Sequence, residues 1–357
     1  MTSFLSILCD SYRMLKSKVI FWITLGLSGL VAILFLGLGF NESGVTYFGG
    51  LMVEEEILAK GTIGAEMVYK FFFSRFVVGG WLSWATLILA LISCASIYPQ
   101  MMEEGSAGML LTKRPGRWLV FLAKFVGGLL FMIVQVGLFV TIVFFAMRWR
   151  LGTWNPEIFW FIPATVMAFA FLYSFSVLIA VWTRSVLVAI LLPLLLWLLS
   201  FGIETFETVI YDSILKQEDL IEEVGETAEL TKRLEKDRAL HQKMKLAYAF
   251  FPKVTPVIAE ARKAQEIRSD ETGLIFQTEI GEPEERSADE ELTEGEMRER
   301  ELEAAMEKGF LEGLEEELEK AEKMENRHSS LYTLGTSLAF SIVMLSLAGR
   351  MFSRSDF

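Results

Sequence analysis

Long apolar runs with almost no charge decide what this chain can fold into. Several reach or exceed about 18 residues, the length a helix needs to cross ~30 Å of hydrocarbon at 1.5 Å per residue. They cover residues 19–40, 76–97, 118–147, 158–181, 185–203 and 331–349. A soluble protein with a large core can also be 53% hydrophobic with a mean hydropathy of +0.42. The distribution, not the average, makes the class: an all-α polytopic membrane protein of six transmembrane helices, with residues 204–330 as a soluble insert between helices 5 and 6.

Punctuation along the spans sharpens this reading. The first run is too long for a secretory signal peptide and no small-residue cleavage site follows, so it stays in the protein. Trp22 near its start suits the headgroup level. Gly79 and Gly80 would let helices approach closely in the second span. Pro99 ends that span because proline cannot continue the hydrogen-bond ladder. Lys124 lies shallow enough in the third span to snorkel to the surface. Arg148, Trp149 and Arg150 end that span. Pro163 falls near the start of the fourth. Trp182, Thr183 and Arg184 make a very tight connection to the fifth. Pro193, mid-span, frees backbone groups that neighbouring helices or water must satisfy, and a kink is its common outcome.

Residues 1–18 mix Phe4, Leu5, Leu8, Tyr12 and Leu15 with Asp10, Arg13, Lys16 and Lys18, which predicts an interfacial amphipathic helix in preference to a frayed tail. Residues 41–75 read as an external loop with Glu54, Glu55 and Glu56 in a row, partly helical from Val53 to Phe73. In the insert, helical patterns cover 210–246 and 288–326, broken by Phe250-Phe251-Pro252. The stretch 272–283 reads as an extended pair or loop. Met306, Phe310, Leu314 and Leu318 recur at four-residue spacing. So narrow a stripe predicts a coiled-coil-like antiparallel hairpin, not a thick core.

Charge separates the two parts. The net charge is −12, yet residues 204–330 hold 35 acids against 18 bases, leaving 10 acids and 15 bases elsewhere. An acidic insert argues against nucleic acid as a partner. The two cysteines, Cys9 and Cys94, lie outside the insert, so no disulfide framework holds it. No metal-ligand spacing occurs. The only histidines, His241 and His328, read as solvated surface residues in charged helices. With the N-terminus cytoplasmic, nine bases in short segments fall inside: Arg13, Lys16, Lys18, Lys113, Arg114, Arg117, Arg184, Arg350 and Arg354. The short external loops then hold Lys60, Lys70, Arg75, Arg148 and Arg150. The positive-inside rule therefore favours both termini inside and the insert outside.

Chemistry is sparse. There is no G-x-x-x-x-G-K-[ST] phosphate loop and no H-E-x-x-H. No histidine lies in a span, and no ladder of Asp, Glu or His crosses one, as a proton-coupled pump would usually need. The elaborate segment is the loop at 99–117. It holds Glu103, Glu104 and Gly105, then Leu110 and Leu111, then Lys113, Arg114, Pro115 and Arg117. The bases alone could be topology determinants, but that leaves the acids, the glycines and the length without a role. A short rigid element pinned between two spans can transmit displacement, with Leu110 and Leu111 filling a partner's apolar pocket and the charges pairing at its rim.

With Pro99 before it and Lys124 after it, this loop resembles the first cytoplasmic loop of type-2 ABC transporter permeases. The resemblance extends to the six-span plan, the interfacial start and the short fourth-to-fifth connection, over residues 1–203 and 331–357. It implies a coupling loop that docks on a separate ATP-binding subunit, with a second permease copy completing the transporter. ATP and Mg would be bound by the partner, no cofactor by this chain, and the chain would not itself be an enzyme. Export across a bacterial cell (inner) membrane is the implied direction. The insert departs from the family, whose members often have only short re-entrant segments there. It would gate the exit or engage an extracytoplasmic protein. A rival from another class is a non-transporting scaffold whose insert recruits a partner protein.

Overall fold

A computed structural model describes residues 13, 16, 19–41, 44–47, 50–54, 73–102, 116–151, 154, 156–225, 227–261, 323 and 327–354. Five helices are long and apolar enough to cross a membrane: Gly80–Met101, Arg117–Trp149, Pro156–Thr183, Val186–Ile221 and Ser330–Arg354. The chain is built as a multi-pass membrane protein. The first apolar run forms a shorter helix, α1 (Val19–Gly37). It does not continue to residue 40. At Leu38 the chain turns into a three-stranded antiparallel meander of β1 (Leu38–Asn41), β2 (Gly44–Tyr47) and β3 (Gly50–Glu54), paired in sequence order. The start of the expected external loop is thus a small sheet. The helix expected from Val53 does not start there, since Val53 and Glu54 belong to β3, and residues 55–72 and nearly all of the interfacial helix at 1–18 lie outside the described residues.

The chain divides into two compact units. One comprises Met1–Phe201, Phe250–Gln265 and Thr333–Phe357; the other comprises Gly202–Ala249 and Glu266–Tyr332. In the first unit a π-helix (Phe73–Ala85) leads into α2 (Thr86–Cys94), then α3 (Ile97–Met101). Pro99 does not end this segment; it breaks it one turn earlier. Its ring clashes with the carbonyl four residues back, that of Ala95, and the turn at 95–96 falls there. Within α3 it occupies the first turn, where no helical partner for its nitrogen exists. Next come α4 (Arg117–Leu151), a 3-10 turn (Pro156–Trp160), α5 (Phe161–Thr183) and α6 (Val186–Val224). The α5–α6 connection is as tight as expected, with Arg184 in the left-handed region at φ 54°.

The interior proline has a partner ready. Pro193 cannot donate to the carbonyl of Ala189, and the buried Ser176 hydroxyl of α5 donates to that oxygen at 2.6 Å. This is the satisfaction that an intramembrane proline requires. We expect Ser176→Ala to cost about 1–3 kcal/mol, the penalty for an unmet buried acceptor. Adding Pro193→Ala should return most of it, because the new N–H reaches the same carbonyl. Thermal unfolding in detergent measures both.

Apolar side chains around the first unit point outward where lipid would be. On α6, Leu187, Leu191, Leu195 and Leu198 form an exposed stripe at helical spacing. Exposed apolar area of this extent is unsuited to water and suited to hydrocarbon. Inside, Trp84 stacks on Trp197 at 4.5 Å, and Tyr173 is sandwiched between Phe125 and Phe169, each 5.2 Å away. Gly80 meets nothing within 4 Å, so it is not a helix-approach point; Gly128 and Gly349 take that role. Residues 254–261 are helical, and their buried Val254, Val257, Ile258 and Ala261 belong to the same apolar core as the spans. Sequence reasoning assigned this segment to the insert, whereas the packing assigns it to the membrane unit. The last helix of the unit is α9 (Ser330–Arg354), the 254–261 helix being α8.

In the second unit the distal part of α6 pairs antiparallel with α7 (Ala228–Tyr248). Gly225, at φ +89°, makes the turn in a conformation that favours glycine. Ile210, Ile214 and Leu234 form a small apolar cluster, and Asp237 accepts from Gln217 at 2.8 Å. A narrow hairpin seam is therefore present, but within 202–248. The expected second arm at 288–326, Lys323 apart, lies outside the described residues.

Candidate functional site

The two legs of the 99–117 loop are clamped to one another. Tyr98, fully buried at the end of the first leg, donates its hydroxyl to the Phe121 carbonyl on the second at 2.9 Å. Their rings also meet, 5.3 Å apart. Deeper in the unit, the Cys94 thiol faces the Gly128 carbonyl at 3.9 Å. Met101 and Met102 are buried up to the last described residue of the first leg.

The second leg is tied in turn to the end of α9. Arg117 Nη1 donates to the Ser353 carbonyl at 2.9 Å. Phe121 packs on Phe352 with ring centres 5.8 Å apart, and the Trp118 ring fills the space that Gly349 leaves open. Arg117 and the C-terminal residues of α9 therefore lie at one end of this unit. Of the predicted coupling residues, Arg117 is the one described, and its guanidinium is engaged with the backbone of α9. Glu103, Glu104, Gly105, Leu110, Leu111, Lys113, Arg114 and Pro115 lie outside the described residues. Lys124 does not snorkel: it is 3% exposed, enclosed by protein.

A second polar centre, in the other unit, reverses the reading of the histidines as solvated. Glu207 is fully buried, with its Oε1 3.1 Å from His241 Nε2 and 2.7 Å from His328 Nε2. Arg327 Nε stands 3.8 Å from Glu207 Oε2, and its Nη2 3.8 Å from Glu204 Oε1. Val186–Ile203 is free of charge, so Glu204 and Glu207 fall beyond the apolar part of α6. Burial would raise the Glu207 carboxyl. The His328 hydrogen bond and the charges of His328, Arg327 and His241 outweigh it and hold the carboxyl below its ordinary range. Burial pulls the His241 imidazole down, opposed by the charge and hydrogen bond of Glu207, and the net shift is downward. Tyr248, buried beside them, is pushed far up by its desolvation. The sequence did carry a signal for this centre. Glu204, Glu207 and Tyr211 recur at three- and four-residue spacing, as do His241, Lys245 and Tyr248, so each set shares a helix face.

Among the described residues no group of three or more His, Cys, Asp or Glu is arranged to hold a metal ion. No protein-family model matches the chain, and neither does any curated protein or solved structure. What the chain does therefore has to be argued from its own geometry.

Proposed function

We propose that the chain is the membrane-spanning permease subunit of an ABC transporter, an exporter, driven by separate ATP-binding subunits that dock on the 99–117 loop. The observation that carries this reading is the Tyr98–Phe121 hydrogen bond. A push on a loop whose legs were free of each other would be absorbed by bending. With the legs joined by a buried hydrogen bond and stacked rings, and the second leg bound to α9, the push moves α2, α4 and α9 together. The helix at 254–261 adds support. The family that the sequence resembles often has short re-entrant segments between its fifth and sixth helices, and this segment packs among the spans at that place in the chain.

In this reading α1 is a further span, of 19 residues, giving six. Both termini and the loop face the cytoplasm of a bacterial cell, and a second permease copy completes the complex. ATP and Mg sit on the partner. The remainder of the insert gates the exit or engages an extracytoplasmic protein. Affinity purification of the full chain in mild detergent should recover an ATP-binding subunit. Leu110→Asp or Glu104→Lys should lower that recovery about tenfold, about 1.4 kcal/mol of binding, while membrane insertion stays normal. Unchanged recovery with both variants sinks the coupling role. Recovery of a partner that is not nucleotide-binding, held through the insert, would favour the scaffold.

A further inference from the structure

We propose that Gln135 of α4, with Thr86 of α2 and Thr165 of α5, forms a binding site among the spans for a neutral molecule that carries a hydroxyl or amide group. That this molecule is the cargo rests on the transport reading; the site itself does not.

The hydroxyls mark the place. A hydroxyl buried within a helix can donate to a carbonyl of its own helix three or four residues back. On these same helices Ser93 donates to Leu89 at 2.8 Å, Thr141 to Gly137 at 2.7 Å and Ser174 to Phe171 at 2.8 Å. Thr86 and Thr165 do not. They are 1% and 0% exposed, and neither hydroxyl meets a hydrogen-bond partner among the described residues. Gln135 is 2% exposed, and its amide nitrogen and oxygen are both unpartnered in the same way. An amide and two hydroxyls left unpaired in an apolar interior are unfavourable, and a ligand that supplies the missing partners gains what they lack.

Register brings the three to one level. The antiparallel helices α2 and α4 meet at Cys94 and Gly128, and α5 meets α4 where Tyr173 faces Gly128. Thr86 lies eight residues from Cys94, Gln135 seven from Gly128 and Thr165 eight from Tyr173, all away from the 99–117 loop. At 1.5 Å per residue these steps are about 12, 10.5 and 12 Å, so the three fall within about 2 Å of one depth. Gln135 also shares a face of α4 with Phe121 and Gly128, at seven-residue spacing. Trp81, whose ring meets Phe139 one turn past Gln135, adds a buried indole N–H that has no partner among the described residues.

The surroundings set the ligand class. Neither α2 nor α5 carries an ionisable acid or base, and the nearest one on α4, Lys124, is eleven residues away, about 16 Å. A charged ligand would lie unpaired there, whereas a neutral donor and acceptor are matched by the amide and the hydroxyls.

Thiol labelling in nanodiscs and melting in detergent test this on the full chain. In a background of Cys9→Ser and Cys94→Ala, Thr86→Cys and Thr165→Cys are treated with two methanethiosulfonates, one neutral and hydroxyethyl, the other an anionic sulfonatoethyl. The neutral reagent should modify both about tenfold faster than it modifies Ala168→Cys, which is equally buried on α5, and the anion should show no such preference. Separately, Gln135→Leu removes two unpaired groups at similar volume, so it should raise the thermal midpoint by about 2 °C or more. Labelling at the Ala168→Cys rate overturns the site, and equal preference for the anion overturns the ligand class. A midpoint that Gln135→Leu lowers or leaves unmoved shows an amide already satisfied, which also overturns the site. If the cysteine variants do not fold, that midpoint decides alone. These readouts need no ATP-binding subunit, so they fail separately from the transport reading.

Discussion

Replacing Glu207 with alanine should unfold the hairpin of α6 and α7 locally at a cost of about 3–5 kcal/mol, the range for removing one partner of a buried ionic group. The carboxylate is fully buried, and two imidazoles and the Arg327 guanidinium converge on it. Without it, Arg327 loses its 3.8 Å contact to that carboxylate, and a cavity opens between three chain segments. Glu204→Ala should cost less, because its side chain is 16% exposed where that of Glu207 is fully buried. Tryptophan fluorescence will miss the change, since no tryptophan lies in 202–332. Limited proteolysis at the lysines and arginines of α7 reports it directly, and the Glu207 variant should be cut far faster than the Glu204 variant.

The second large effect is expected at Gly128. A Cβ built there lies 2.6 Å from Tyr173 Cε1 and 2.9 Å from its Cζ and hydroxyl oxygen. The ring cannot swing away, because it is fully buried and stacked between Phe125 and Phe169 at interplanar angles of 8° and 12°. Gly128→Ala should therefore cost about 1–3 kcal/mol through overpacking, and Gly128→Val more. Tyr173→Leu combined with Gly128→Ala should recover part of the loss, measured as thermal midpoint in detergent. The same alanine at Gly80, which faces open space, should be nearly neutral.

How much was legible depended on whether a signal was local. Each span announced itself by a long run of residues that only one solvent accommodates. The disruptions at Pro99 and Pro193 were also legible, because a proline acts on its own backbone, whereas the turn at Gly225 was not, since 210–246 read as one helical pattern. What resolved each disruption was not: Ser176 is an ordinary polar residue of α5 until the structure brings it to Ala189. The histidine centre depended on long-range partnership of the same kind. His241 and His328 lie 87 positions apart, and nothing in their neighbourhoods says that they share one carboxylate. Shared helix faces pointed to it weakly, and charge-rich surroundings masked it. Residues 250–261 were assigned to the insert because 204–330 was treated as one acidic block. Their own composition, VTPVIA after a proline break, is apolar enough to return to the core. The coupling loop itself was read at 99–117, and of its coupling residues Arg117 is the one described.

Site-specific photo-crosslinking from position 110 tests the account most directly. A photoreactive amino acid replaces Leu110 in the full chain, cells are irradiated, and adducts are identified by mass spectrometry. The account predicts an adduct with an ATP-binding subunit, lost when that subunit is deleted. Adducts with lipid alone, while the same probe at Glu229 on α7 captures a protein partner, would contradict it and leave the chain a membrane scaffold.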